Sequence, residues 1–302
     1  MTHRYSVAVD PADLDLPLCV TCGQAFLWQQ APSGAWLGVD GNDWYRVDVG
    51  AGRLLVESNA DEERFRRLFR LDVDLVQVKR QIVERAPELA PYLARHPGLR
   101  MMRPSSATEV LFSFLCSANN HLARIMPMAR KLAEYGPLLA KFEGIHLHAF
   151  PDVATIAQID EDALRRAGFG YRGKTIPECA RAILTRGDGW LDRLAEMPFL
   201  AMREALLELP SIGPKLADCI ALYGYDKLES APIDTHLWQV GCRLYFPEWT
   251  GKAITEHRYR ALADRLRSRL DELTGYAQQF MFFDNVQNWR QHKRQGTAKG
   301  VS

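Results

Sequence analysis

No stretch of this 302-residue chain carries enough consecutive apolar residues to cross a bilayer, which excludes a helical integral membrane protein. Met1 to Asp10 lacks both a basic start and an apolar stretch. No secretory signal is therefore expected, and the expected location is the cytoplasm, at the nucleoid, or the nucleus in a eukaryote. An excess of charge of either sign is lacking too: 38 Lys and Arg against 37 Asp and Glu leave a formal +1. That balance argues neither for nor against nucleic acid; a protein that wraps it by bulk charge is usually more basic, so any nucleic-acid surface has to be a local patch balanced elsewhere. Cysteine is sparse. Cys19-Val-Thr-Cys22 has the spacing of half a zinc site or a redox dithiol, but no second Cys/His pair follows at a suitable distance. No close run of four cysteines is present for an iron–sulfur cluster. The six thiols are read as ordinary reduced cysteines, His146 and His148 as surface or strand histidines, and no cofactor or metal is expected.

What is present falls into two parts. Ala25-Phe-Leu-Trp-Gln, Trp36-Leu-Gly-Val, Trp44-Tyr-Arg-Val-Asp-Val and Arg53-Leu-Leu-Val-Glu are short β-branched or aromatic runs. Turn-forming stretches at Pro32-Ser-Gly, Asp40-Gly-Asn and Gly50-Ala-Gly separate them, which predicts a meander of antiparallel strands. From Asp61 the period becomes helical, with Phe65, Leu68 and Phe69 on one face. After Pro97-Gly98 the chain reads as almost entirely helical, with helices expected near 108–117, 160–167, 176–185, 201–209, 215–223 and 257–273. The fold class expected is mainly α with an N-terminal antiparallel sheet (α+β): a sheet domain at 1–98, a helical domain at 99–290 and a basic, flexible tail at 291–302.

The chemistry concentrates in Leu209-Pro-Ser-Ile-Gly-Pro-Lys-Leu-Ala-Asp-Cys and Ala231-Pro-Ile-Asp-Thr-His-Leu-Trp. Leu209-Pro210 ends one helix, Ser211 to Gly213 makes a tight turn, and Pro214 opens the next helix with a preset φ. Such a turn presents successive backbone N–H groups at a positive helix end, so it can hold a phosphate without side-chain charge. Lys215 lies in the first turn, where the helix end opposes its ammonium form. A lysine amine freed of its proton can attack C1′ of a nucleotide and form a Schiff base. A lone lysine at a helix start is ordinarily only solvated; Asp234 is what changes the reading. It stands where an N-cap belongs, and its carboxylate could also stabilise positive charge developing on a sugar.

Lys215, the Ala217-Asp218-Cys219 after it, and Pro232-Ile-Asp234-Thr-His-Leu-Trp238 together resemble the helix-hairpin-helix Gly/Pro-Asp DNA glycosylases. The resemblance to their 8-oxoguanine branch covers nearly the whole chain. It rests further on Gly23-Gln24-Ala-Phe26-Leu-Trp28, on Phe112 to Arg124 with its Asn119-Asn120 pair, on Gly168-Phe-Gly170-Tyr171-Arg172, and on Gly275-Tyr-Ala-Gln278-Gln-Phe-Met-Phe282. One departure is Ser211, where the hairpin usually has its first glycine.

The resemblance implies a glycosylase/lyase acting on double-stranded DNA that contains oxidised guanine, as a monomer and without a cofactor. Lys215 is implied as nucleophile and Asp234 as catalytic carboxylate. Gly23 would offer a carbonyl to N7–H, the atom that separates 8-oxoguanine from guanine. Gln278 would read the Watson–Crick edge of the flipped base, and Phe282 and Cys219 would flank its faces. Asn119, Arg124, Tyr171 and Arg172 would fill the gap in the duplex and contact the abandoned cytosine, with Gly213 and His236 on phosphates. Structural readings stand beside these: Phe282 in the core, Cys219 as a small buried thiol, His236 in a capping turn. Two rival functions also remain open. A monofunctional alkylpurine glycosylase would need Asp234 but not Lys215, and a non-catalytic DNA-binding protein would need neither.

Overall fold

The structure is a computed structural model that describes the backbone of residues 1–298 and the side chains of residues 1–289. Its N-terminal sheet is antiparallel throughout, formed by β1 (His3–Ala8), β2 (Gln29–Gln30), β3 (Trp36–Asp40), β4 (Asp43–Gly50) and β5 (Arg53–Ser58) in the order β1-β5-β4-β3-β2. Glycine makes its hairpins: Gly41 (φ +61°) and Gly52 (φ +70°) take the left-handed backbone that the β3–β4 and β4–β5 turns require. Three of the four expected strands are therefore β3, β4 and β5.

The fourth is a correction. Of the run expected at 25–29, only its last residue joins the sheet, as part of β2. Trp28 instead lies flat on the sheet, over Gly38, where a Cβ would come within 2.1 Å of the indole. It stacks on Tyr45 at 5.9 Å between ring centroids, with 14° between planes. Gln24, 1% exposed, supplies the hydrogen bonds that a strand ladder would have made. Its amide donates to the carbonyls of Arg100 (2.8 Å) and Cys19 (3.1 Å) and accepts from Met102 N–H (2.8 Å). These bonds hold the Gly23 loop against the helical part. The short helix α1 (Leu16–Thr21) precedes it, capped by Asp15, and neither it nor β1 is evident from periodicity.

The rest is helical: α2 (Glu62–Leu68), α3 (Leu75–Arg85), α4 (Ala90–Ala94), α5 (Ala107–Leu115) and α6 (Leu122–Ala133), then α7 (Val153–Gln158), α8 (Glu161–Leu164) and α9 (Arg172–Leu184). After them come α10 (Trp190–Leu194), α11 (Phe199–Leu207), α12 (Pro214–Tyr225), α13 (Thr235–Tyr245), α14 (Glu256–Leu270) and α15 (Thr274–Ala298). One further correction belongs here. A second hairpin, β6 (Leu138–Phe142) and β7 (Ile145–His148), interrupts the helices, turned by Glu143 (φ +52°) and Gly144 (φ +82°). His146 and His148 sit on β7, and His148 Nδ1 lies 3.0 Å from the Gly136 carbonyl.

The apolar helix α5 is buried on every side from Glu109 to Leu115 and packs on α12, which also lies against α11. α13 packs on α15, and α12 reaches α15 through the Tyr223 hydroxyl, which bonds Gln278 and Gln279. Arg100, 3% exposed, pairs with Asp13 and donates to the carbonyls of Asp13 and Val73, while Arg70 pairs with Asp226. These buried guanidiniums join the N-terminal part to the helices. α15 runs through most of the segment read as a tail. The side chains from position 290 onward, and residues 299–302 altogether, lie outside the described residues. No helix among the described residues is long and apolar enough to cross a membrane.

Candidate active site

The hairpin forms as its turn residues require. α11 ends at Leu207, Ile212 is buried as an anchor, and Gly213 opens α12 with extended backbone (φ −98°, ψ 179°) followed by Pro214 at the first helical position. Ser211 adopts φ +64°, the left-handed conformation that glycine reaches freely. The hairpin therefore survives its departure from glycine, at a local backbone cost of roughly 1–2 kcal/mol.

Lys215 is half-buried, and its Nζ stands 5.3 Å from the centroid of the Phe114 ring of α5. Cys219 follows one turn later, 3% exposed. Burial pushes its thiol up to about 11, and Asp234 adds to that. The Lys215 ammonium opposes the rise, both by charge and by a hydrogen bond to the sulfur. The Cys219 sulfur thus feels both the Lys215 amine and the Asp234 carboxylate. Asp234 caps α13, accepting the Leu237 N–H on Oδ1 at 2.8 Å. Among the described residues Oδ2 makes no hydrogen bond, which leaves one carboxylate oxygen open while the other holds the helix.

Beneath this pair lies a buried ionic knot. Asp218 of α12 accepts from Arg203 Nε of α11 at 2.8 Å and from the hydroxyl of Tyr259 of α14. The Tyr259 oxygen accepts in turn from Ile233 N–H at 3.2 Å, one residue before Asp234. The helix bearing Lys215 and the loop bearing Asp234 are thereby tied to the same phenol.

The candidate base-contacting residues converge next to it. Gly23 (φ +92°) is so close to its neighbours that a Cβ there would meet Leu122 at 2.8 Å and Phe282 at 3.7 Å. Phe282 is half-buried and makes an edge contact with His236 at 5.9 Å, and His236 Nδ1 lies 3.1 Å from Asn285 Nδ2. Gln278, 3% exposed, donates from Nε2 to the Tyr223 hydroxyl at 3.0 Å. Tyr223 stacks on Phe114 at 5.4 Å, the ring beneath Lys215. Gly23, Phe282, Gln278, Cys219, Lys215 and Asp234 are consequently brought together. A cavity of about 670 Å³ elsewhere, between α6 and β7, touches none of them.

The remaining candidates form a second group. Gly168 (φ +93°) and Gly170 (φ +60°) flank the buried Phe169 and project Tyr171, which is 51% exposed. The Tyr171 hydroxyl donates to the Ala118 carbonyl at 3.1 Å, and Arg172 Nη2 donates to the same oxygen. Asn119 follows at once, exposed and left-handed (φ +49°), and Arg124 is exposed on α6. Arg172 differs from its expected appearance. It is 5% exposed, stacks on the Tyr171 ring at 4.5 Å, and has no partner for its Nε. In this state it clamps two loops together.

Sequence reasoning missed Phe114, Tyr223 and Gln279 as parts of this site. The last carries a legible signal: Gln279 is a second polar residue beside Gln278 in a helix otherwise lined by Ala277, Phe280 and Met281, and it is 2% exposed.

Comparison with known proteins matches both halves of the chain. The profile described as "HhH-GPD superfamily base excision DNA repair protein" matches residues 112–265, and that described as "8-oxoguanine DNA glycosylase, N-terminal domain" matches residues 6–111. The N-glycosylase/DNA lyase OGG1 of Arabidopsis thaliana is 30% identical over 290 residues, covering 92% of this chain and 79% of that protein. An N-glycosylase/DNA lyase of Saccharomyces cerevisiae is 30% identical over 282 residues, covering 81% and 72%. Among solved structures, the 8-oxoguanine glycosylase/lyase of Clostridium acetobutylicum bound to double-stranded DNA with cytosine opposite 8-oxoG superposes with a TM-score of 0.81. It has 25% identity and covers 95% of this chain and 98% of that one. With both halves of the chain matched and a relative 30% identical over 92% of it, the protein belongs to the HhH-GPD superfamily of base excision DNA repair proteins, in its 8-oxoguanine DNA glycosylase branch.

Proposed function

We propose that the protein excises 8-oxoguanine paired with cytosine in duplex DNA and then cleaves the strand, acting as a monomer and without a cofactor. The observation that carries this is the grouping of the Lys215 amine with Cys219 and Asp234, next to Gly23 and Phe282 and on the same ring that supports Tyr223 and Gln278. The base must leave the stack, because its glycosidic bond is unreachable within the duplex. Tyr171 wedges into the vacated step, with Asn119 and Arg124 on the opposite strand. Arg172 joins them by exchanging the Ala118 carbonyl for the unpaired cytosine. The hairpin amides around Gly213, together with His236, hold phosphates.

In the pocket the Gly23 carbonyl accepts N7–H of the oxidised base, and Phe282 stacks on the base. Once its ammonium has released a proton to solvent, Lys215 Nζ attacks C1′ with the freed lone pair, and the C1′–N9 bond breaks with its electrons leaving on the base, which takes up the proton that the newly bonded nitrogen gives up. The free oxygen of Asp234 stabilises the positive charge that develops on the sugar. Ring opening gives an imine to Lys215. Loss of a C2′ proton then expels the 3′-phosphate, and hydrolysis of the imine releases the enzyme.

The test is borohydride trapping on duplex DNA with 8-oxoguanine opposite cytosine, wild type beside Lys215→Gln. A covalent complex from wild type alone is expected. Free base released without trapping would assign the protein to the water-using, monofunctional class, and neither product would reject the substrate.

A further inference from the structure

Behind the base-facing amide runs a line of hydrogen bonds in which every link has only one direction. Cys22 Sγ lies 3.2 Å from the Cys19 carbonyl, and a carbonyl can only accept, so the thiol donates. Burial pushes that thiol up to about 12, so it retains the proton it donates. The sulfur accepts from Gln279 Nε2 at 3.1 Å, which turns Gln279 Oε1 to the Tyr223 hydroxyl, and the hydroxyl donates to it. With its proton committed, the Tyr223 oxygen is left as an acceptor, and it accepts from Gln278 Nε2 at 3.0 Å. Cys22, Gln279, Tyr223 and Gln278 are 0%, 2%, 6% and 3% exposed. Water cannot readily replace a broken link; turning Gln279 over would set its N–H against the Tyr223 O–H, and turning Gln278 over would set its oxygen against the Tyr223 oxygen.

We infer that this relay fixes the polarity of Gln278, drawing its nitrogen into the protein and presenting its oxygen to the flipped base, and that Tyr223 is therefore a specificity-determining positioning residue. The inference rests on the 8-oxoguanine reading of the site. A guanine-type Watson–Crick edge carries two adjacent donors, N1–H and the 2-amino group, which an amide oxygen accepts. An adenine-type edge has a lone pair at N1, which the same oxygen repels. The relay also begins beside Gly23. The carbonyl that senses N7 and the amide that senses the opposite edge are thus mounted on one hydrogen-bonded frame. The Cys19/Cys22 pair, which has the spacing of a metal or redox motif, serves here as the frame's terminal donor and its backbone anchor.

Tyr223→Phe tests this, because the ring and its stacking on Phe114 are kept while the relay is cut. Single-turnover release of 8-oxoguanine would be measured beside strand cleavage at a preformed abasic site, which has no base to read. Excision is expected to fall roughly tenfold, the loss of one buried hydrogen-bond link, with abasic-site cleavage unchanged. The preference for 8-oxoguanine over 8-oxoadenine is expected to narrow by a similar factor. Cys22→Ser, whose hydroxyl both donates and accepts, should retain excision, and Cys22→Ala should behave like Tyr223→Phe. Excision at the wild-type rate by Tyr223→Phe would overturn the inference, and so would an equal loss of both activities, which marks a purely structural tyrosine. Wild-type protein that cleaves abasic DNA yet leaves 8-oxoguanine intact would reject the substrate reading and this inference with it.

Discussion

At the scale of single residues, the site economises by giving one group two tasks. Asp234 holds α13 with one oxygen, so in the proposed reaction its carboxylate is already fixed in direction before DNA arrives. Ser211 shows the opposite case, a residue that fits its turn at a cost. Its φ of +64° is natural to glycine and strained for serine. Ser211→Gly is therefore expected to stabilise the protein by roughly 0.5–1 kcal/mol, the backbone gain less the entropy that glycine adds to the unfolded chain. A shift of the urea midpoint upward, with unchanged slope, would be the expected reading. A lower midpoint would mean that the serine hydroxyl contributes more than the backbone loses.

At the scale of elements, the knot of Arg203, Asp218 and Tyr259 sets how α11, α12, α14 and the loop before α13 meet. Asp218→Ala would leave the Arg203 guanidinium, 6% exposed as a residue, without its carboxylate. Arg203 would keep only its longer pair with the exposed Glu204 at 3.5 Å, so a destabilisation of about 3 kcal/mol is expected, the low end for breaking a buried pair. Urea unfolding measures it directly, and a change within about 1 kcal/mol would show that the helices are held by apolar packing alone.

The same scale explains what the sequence made legible. β3, β4 and β5 were readable because glycines punctuate them, and α5 and α12 because apolar residues fill their faces. Lys215 and Asp234 were readable because each stands at a helix start with its own turn chemistry. The run at 25–28 misleads because its aromatic character comes from Trp28 lying across the sheet, not within it. The β6–β7 hairpin is concealed because Leu138 to Phe142 is largely uncovered and mixes Lys and Ala with its apolar residues. Tyr223 and Gln279 were hidden for a different reason. Their hydroxyl and amide face one another across 56 positions of chain, a pairing that no local pattern encodes.

At the scale of the whole molecule, two carboxyls mark the seam between sheet and helices. Asp40, at the end of β3, accepts Ser105 N–H at 2.7 Å, and Glu109 of α5 lies buried near it with Oε2 unpartnered. Burial raises Asp40 from 3.8 to about 6 and raises Glu109 as well. A folded-state value above the unfolded one means that the native protein binds more protons between about pH 4 and pH 6, so the contribution of Asp40 to stability falls as pH rises through that window. The shift corresponds to about 3 kcal/mol. Asp40→Asn keeps an acceptor for Ser105 and is expected to gain up to about that much on wild type between pH 4 and pH 7. Unfolding curves for both proteins at each pH would reveal it, and a constant difference would remove the buried charge from the account.

The six thiols give the molecule a further property. Every one is buried, and burial raises the pKa of each. Peroxide attacks the thiolate, and it attacks what it can reach. The oxidants that turn guanine into 8-oxoguanine therefore find little thiolate to attack on the protein that removes the lesion. Conditions that oxidise guanine thus need not oxidise the cysteines of this chain.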